Sequence, residues 1–322
     1  MKEADSPWSK EDFTHHQHRR KKNHDYRSEC KYHITLTKAP HAPLFGNLPK
    51  RINLEDPESI NIEKNALGIL IARYIRDIPR IEPRVALYQY IVMPDHVHFL
   101  IDVKQRLDRP LGNLIGLLKS YITLEWHRIA PQSKDSEVFT PGFNDKIIFS
   151  HRSIDDVYRY IRLNPYRLAV RKERPDFFRK RRNILIGQRE IQAYGNLFLL
   201  RNPFKYALVV HRADNDATYL EKLDKCLFLA AEGGVIVSAF ISKREKEIRK
   251  EVEKAGGRII LVHDRPLEEK EKPARHDFDL CCEGRLLMIS PTEYLSMPKT
   301  EHPGRRQCLD MNGLALGIAG GN

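Results

Sequence analysis

No two of the five cysteines are spaced as Cys-x-x-Cys, so the sequence offers neither a zinc ribbon nor a thioredoxin-type redox pair. Cys30, Cys226, Cys281, Cys282 and Cys308 are odd in number and read as reduced core or surface thiols, not as a disulfide framework. No apolar run approaches the ~20 residues that cross a bilayer. No apolar signal region stands at the N-terminus either, and together these absences predict a cytoplasmic protein without membrane contact. There is no internal repeat. GxGxxG and the P-loop lysine are missing too, which leaves out the common nucleotide cradles.

What is present is a lopsided charge. Residues 1–182 hold 34 Lys+Arg against 23 Asp+Glu, a net of +11, whereas residues 183–322 hold 21 against 20, a net of +1. An excess of one sign in one half predicts a polyanionic partner for that half. Nucleic acid comes before membrane, because no basic amphipathic helix accompanies the charge. Hydrophobic content of 41% permits a sizeable core, and 322 residues suit two domains.

In the basic half, Ile91-Val-Met-Pro-Asp-His-Val-His-Phe-Leu-Ile101 reads as a turn entering a strand. Alternation places His96, His98 and Leu100 on one face and Val97, Phe99 and Ile101 on the other. Two imidazoles about 7 Å apart by strand rise can close on one cation. An isolated His-x-His is more often a pair of water-facing side chains, so neighbouring elements must decide.

Those elements run strand, helix, strand, strand, helix, strand. Lys31–Thr37 alternates as a strand, 62–78 shows helical spacing, and Val85–Met93 pairs with His96–Val103 across the Pro94-Asp95 turn. Leu111–Ile129 is an amphipathic helix stopped by Pro131, and Phe143–Phe149 is an edge strand. A helix follows from Ser153-Ile-Asp-Asp156 to Asn164, closed by Pro165. This order is that of a ferredoxin-like (split βαβ) α+β sandwich, with helices on one face and His96 and His98 on a free face.

The expected organisation is a disordered basic arm over 1–28, a catalytic domain over 29–175 and a basic linker over 176–205. A small α/β Rossmann-like domain with a parallel sheet follows over 206–300, with a tail over 301–322. Glu232-Gly-Gly-Val-Ile-Val-Ser-Ala-Phe-Ile-Ser242 in the second domain reads as a plain strand-turn-helix. The stretch from Gly233 to Pro291 is faintly similar to Rossmann-like DNA-processing proteins that bind single strands.

The last helix of the first domain carries Tyr160 and Asn164, four residues apart and so on one side. A carboxamide oxygen can complete a site with two imidazole nitrogens and leave room for a phosphate oxygen. A phenol one helical turn away can then attack phosphorus. A phenol ionises near about 10, so it needs an activated electrophile or a nearby base at neutral pH. Alone, Tyr160 would pack on the sheet and Asn164 would cap the helix; the combination is more specific than its parts.

Met93-Pro-Asp-His-Val-His-Phe99, Lys119 in the next helix and Tyr160-Ile-Arg-Leu-Asn164-Pro-Tyr-Arg167 together resemble the REP-associated tyrosine transposases. These belong to the HUH (His-hydrophobe-His) one-tyrosine single-strand transposases, and the likeness covers roughly residues 29–175. It implies that His96, His98 and Asn164 bind Mg²⁺ or Mn²⁺. It implies too that Tyr160 cuts single-stranded DNA near a hairpin through a 5′-phosphotyrosine link. Arg167, Arg171, Lys172, Arg179, Lys180, Arg181, Arg182 and Lys119 are the candidate DNA contacts. Phe143-Asn-Asp stands where family members often carry tryptophan, which bears on substrate detail. The competing reading is a non-catalytic single-strand nucleic-acid-binding protein on the same fold. The sequence leaves open monomer or homodimer.

Overall fold

The computed structural model describes residues 21, 23–134, 136–148, 151–267, 273, 275–296 and 303–320. The expected basic arm lies outside them through residue 20, as does Lys22. Its end is packed, contrary to expectation. Tyr26 is buried, stacks on Tyr32 at 5.9 Å and donates its hydroxyl to Asp145 at 2.8 Å. The chain forms two compact units, 1–169 and 170–322.

The first unit begins with β1 (Cys30–Thr37) and a two-stranded ladder of β2 (Gly46–Asn47) and β3 (Glu63–Lys64). Next comes α1 (Ala66–Arg76), whose N-cap Asn65 accepts the Gly68 N–H, and the single turn α2 (Ile78–Ile81). The chain continues through β4 (Val85–Val92), β5 (His96–Val103), α3 (Leu111–Ile129), β6 (Asn144–Ile148) and α4 (His151–Arg162). The helix α5 (Asn164–Glu173) then spans the boundary between the units.

The sheet order is β4-β5-β1-β6, antiparallel throughout, which is the ferredoxin-like arrangement. One face is dry: Val97, Phe99, Ile101 and Val103 of β5 pack with Leu67, Leu70 and Ile71 of α1 and Leu111, Ile115 and Leu118 of α3. The other face was expected to be free. Instead α4 lies over it, with Val157 and Ile161 buried against Leu100 and Ile148, and Ile154 and Tyr160 packed alongside. The reason is the helix's own amphipathicity. Ile154, Val157 and Ile161 recur at helical spacing and need an apolar surface, while Tyr158, Arg159 and Arg162 stay exposed. The expected single helix ending at Asn164 is two helices, and Asn164 opens the second.

At the far end of the histidine face, buried Asp102 accepts hydrogen bonds from Tyr88 at 2.7 Å and pairs with Lys104 at 2.6 Å and Lys31 at 3.1 Å. Burial alone would raise its pKa, but these donors overcome it and hold the carboxyl below the ordinary aspartate value. A depressed folded-state pKa stabilises above the unfolded value, and that stability is lost as pH falls through the folded one. Asp102→Asn is therefore expected to cost about 1–3 kcal/mol at neutral pH, allowing for the partly exposed lysines. Urea denaturation at successive pH values should show the gap between variant and parent closing under acid conditions.

In the second unit, the segment expected to be a linker is β7 (Arg179–Ile186) and β8 (Arg189–Gly195). They continue a six-stranded sheet of order β7-β8-β12-β11-β10-β9, so the sheet is mixed. Its parallel part comprises β9 (Lys205–Ala207), β10 (Val235–Ser238), β11 (Arg258–Val262) and β12 (Leu286–Pro291). The crossovers are α6 (Asp216–Ala231), α7 (Lys243–Lys254) and α8 (Arg275–Cys282), and their side of the sheet buries Cys226, Ile248, Val252, Leu280 and Cys281. The expected tail is largely α9 (Arg305–Ala319), which buries Met311, Leu314, Ala315 and Ile318 against the opposite face. At the start of α7, Ser242 and Glu245 cap each other's backbone N–H groups, which accords with a plain strand-turn-helix. No helix among the described residues is long and apolar enough to cross a membrane.

Candidate active site

The hairpin between β4 and β5 sets the histidines. Met93 N–H closes the turn on the His96 carbonyl at 2.8 Å, and Val92 lies opposite Val97, so the strand leaves the turn with His96 and His98 on one face. On the neighbouring strand Thr37 stands opposite His96, Thr35 opposite His98 and His33 opposite Leu100. Since β1 alternates as well, His33 and Thr35 share the histidine face, while Tyr32, Ile34 and Leu36 are buried in the dry core.

The side chains meet closely. The rings of His96 and His98 are 4.6 Å apart, and those of His98 and His33 4.9 Å. Tyr160, brought down by α4, lies edge-on at 5.5 Å from His98 and 5.8 Å from His33. The Arg167 guanidinium sits 5.3 Å from the centre of the Tyr160 ring, within cation–π range. Asn164 is buried, and its amide N–H donates to the Tyr160 carbonyl at 2.8 Å. That bond fixes which way the carboxamide faces and leaves the oxygen as its remaining pole.

Burial pushes the His33 pKa down to about 4, assisted by the charge of Lys146, which lies directly across the β1–β6 ladder. His33 is therefore neutral at physiological pH. His96 Nδ1 is 2.6 Å from the Asp95 carboxylate. His98 Nδ1 is 2.9 Å from Thr35 Oγ1 and 3.1 Å from His33 Nε2.

The donor chemistry suits a divalent ion. Each of the two histidines has Nδ1 in a hydrogen bond, the arrangement that orients an imidazole to ligate through Nε2. An amide oxygen is a compatible hard donor. The set contains no carboxylate, and among the described residues no group of three His, Cys, Asp or Glu could hold a metal ion. Two imidazoles and one amide would leave coordination positions for oxygens from outside, such as those of a phosphate.

Of the candidate DNA contacts, Arg167 alone is placed against Tyr160. Arg171 sits 5.9 Å from the centre of the Phe278 ring and Lys172 is exposed on α5. Arg179, Lys180, Arg181 and Arg182 line β7, the sheet's edge strand, with Arg179 paired to Asp176. Lys119 lies elsewhere. Its ammonium donates to the carbonyls of Thr140 at 2.6 Å and Gly142 at 3.0 Å, and burial lowers its pKa to about 8. It belongs to α3, on the dry side of the sheet, so it braces the approach to β6 and does not join the histidine face.

His33 is the site residue that sequence reasoning missed. The signal was there: Lys31, His33, Thr35 and Thr37 share one side of a strand whose other side is apolar.

Residues 62–164 match the family described as "Transposase IS200 like". An uncharacterized protein of Haemophilus influenzae Rd is 28% identical over 169 residues, covering 45% of this chain and 86% of that protein. A solved REP-associated tyrosine transposase bound to a REP hairpin is 15% identical with a TM-score of 0.31, over 45% of this chain and 72% of that one. A candidate transposase from Deinococcus radiodurans R1 is 16% identical with a TM-score of 0.26, over 44% and 95%. The matched segment contains His96, His98, Tyr160 and Asn164, and over it this chain is similar to the IS200-like transposases.

Proposed function

We propose that this chain is a metal-dependent single-stranded DNA transposase that cuts and rejoins hairpin-bearing DNA through a covalent bond to Tyr160. The observation that carries the reading is the 5.5 Å approach of Tyr160 to His98, groups that lie on separate elements and are joined by nothing in the local sequence. A tyrosine used only for packing has no need of two imidazoles and a buried amide around it.

His96, His98 and Asn164 would hold Mg²⁺ or Mn²⁺, which when bound draws charge from the phosphate oxygens and makes phosphorus more electrophilic. The Tyr160 oxygen attacks phosphorus and its proton leaves to water. The bond from phosphorus to the 3′ oxygen breaks, and that oxygen departs as a free 3′-hydroxyl after protonation. The 5′-phosphate remains esterified to Tyr160. Arg167, 5.3 Å from the centre of the Tyr160 ring, would meet the negative charge of the phosphate. Rejoining is the same reaction reversed, with an incoming 3′-hydroxyl displacing Tyr160. The phosphodiester's energy is kept in the tyrosyl ester, so no nucleotide cofactor is needed.

The test is a covalent adduct. Full-length protein incubated with Mn²⁺ and a labelled single strand carrying a hairpin should yield a protein–DNA species that survives denaturing gel electrophoresis. A single-strand binder without catalysis yields none, whatever its affinity.

Affinity itself should come from phosphate contacts. Arg181 and Arg182, both exposed on the basic edge strand, are the candidates most readily removed. Each change to alanine is expected to weaken single-strand binding similarly across sequences and to lower the salt slope by about 1. Fluorescence anisotropy at a series of salt concentrations reads both.

A further inference from the structure

The geometry points to His33 as a positioning residue that fixes the His98 imidazole in the tautomer able to ligate through Nε2. This inference rests on His96, His98 and Asn164 being ion ligands. His33 lies outside residues 62–164, the segment matched by the transposase family.

The argument begins with the two partners that share one nitrogen. His98 Nδ1 lies 2.9 Å from Thr35 Oγ1 and 3.1 Å from His33 Nε2. A hydroxyl both donates and accepts, so Thr35 serves either tautomer of His98 equally. An imidazole nitrogen does only one of the two, so of these two partners His33 is the one that distinguishes the tautomers. When His33 Nε2 is the acceptor, His98 carries its proton on Nδ1 and its Nε2 keeps a lone pair for a cation. When His33 Nε2 is the donor, the His98 proton moves to Nε2 and ligation there is blocked. The second link is to the nucleophile. The His33 ring packs against both His98, at 4.9 Å, and Tyr160, at 5.8 Å, so one side chain sets the spacing of ligand and phenol. Asp95 gives His96 the corresponding support through a carboxylate, a commoner device.

A ring that only fills space would do the same packing without the nitrogen, and this separates the alternatives. His33→Phe keeps an aromatic ring and removes the hydrogen bond, whereas His33→Gln keeps an amide acceptor. Mn²⁺ is titrated calorimetrically into the full chain and into both variants, and the His98 tautomer is read from imidazole ¹⁵N shifts. The expected result is a loss of Mn²⁺ affinity of about 10- to 100-fold in His33→Phe. The Nδ1–H signature of His98 should be lost in His33→Phe, and both properties should be partly restored in His33→Gln. An unchanged Mn²⁺ affinity and tautomer in His33→Phe would overturn the assignment. Wild-type protein that takes up no Mn²⁺ would overturn it too, and there the ion-binding reading of the site is what has failed.

Discussion

Tyr160→Phe is expected to abolish the covalent protein–DNA adduct and to lower strand cleavage by at least about 10⁴-fold, the scale of losing a covalent nucleophile. The substitution removes one hydroxyl from a half-buried ring. The apolar contacts with Leu100, Val157 and Ile161 persist, as does the edge-on packing against His98 and His33. Fold and single-strand affinity should therefore stay close to those of the parent, and anisotropy measured beside the cleavage assay checks this. A variant that lost binding and cleavage in proportion would instead mark Tyr160 as a structural residue. Tyr158 is the internal control. It lies on the same helix but on its exposed side, so Tyr158→Phe should cleave at the parental rate.

The second large effect belongs to the histidines. His98→Ala removes a buried imidazole to which His33 and Thr35 both bond, and it takes away one of three proposed ion ligands. Loss of Lewis-acid polarisation is expected to lower cleavage by roughly 10²- to 10⁴-fold. His96→Ala should act in the same direction with less effect on stability, because His96 is partly exposed while His98 is buried. A chelator added to the parent should reproduce the cleavage defect without releasing bound DNA, and restored Mn²⁺ should reverse it. Thermal melts of both variants separate lost chemistry from lost fold.

How much of this was legible in the sequence follows from the range of each interaction. His96, His98 and Leu100 share a face by strand alternation alone, and the order of elements sufficed for the ferredoxin-like sheet. Tyr160 and Asn164 were readable as a pair four residues apart, although the helix breaks between them and Asn164 opens α5. His33 was not readable in the same way. Its meeting with His98 depends on the β1–β5 register across 65 residues, which no local pattern encodes.

The covered face was missed for a related reason. The amphipathic stripe of Ile154, Val157 and Ile161 announces that α4 must dock, but not on which face of the sheet. In the second unit, Arg179-Lys-Arg-Arg182 read as a linker because a run of like charge hides strand alternation. A sheet edge is where such a run is tolerated, since charge there discourages pairing with another chain. Lys119 shows the converse. A basic residue in a suggestive place is held by two backbone carbonyls on the dry side of the sheet.

The central claim is that one particular phenol attacks DNA, and peptide mapping of the trapped adduct tests it most directly. Adduct formed with Mn²⁺ and a hairpin-bearing single strand is digested with protease and nuclease, and the peptide carrying the residual 5′-phosphonucleotide is sequenced by mass spectrometry. The account predicts the modification on Tyr160, within the sequence Tyr-Ile-Arg-Leu-Asn-Pro. The same modification found on Tyr158 or Tyr166, or no modified peptide from protein that has demonstrably cut the strand, would contradict it.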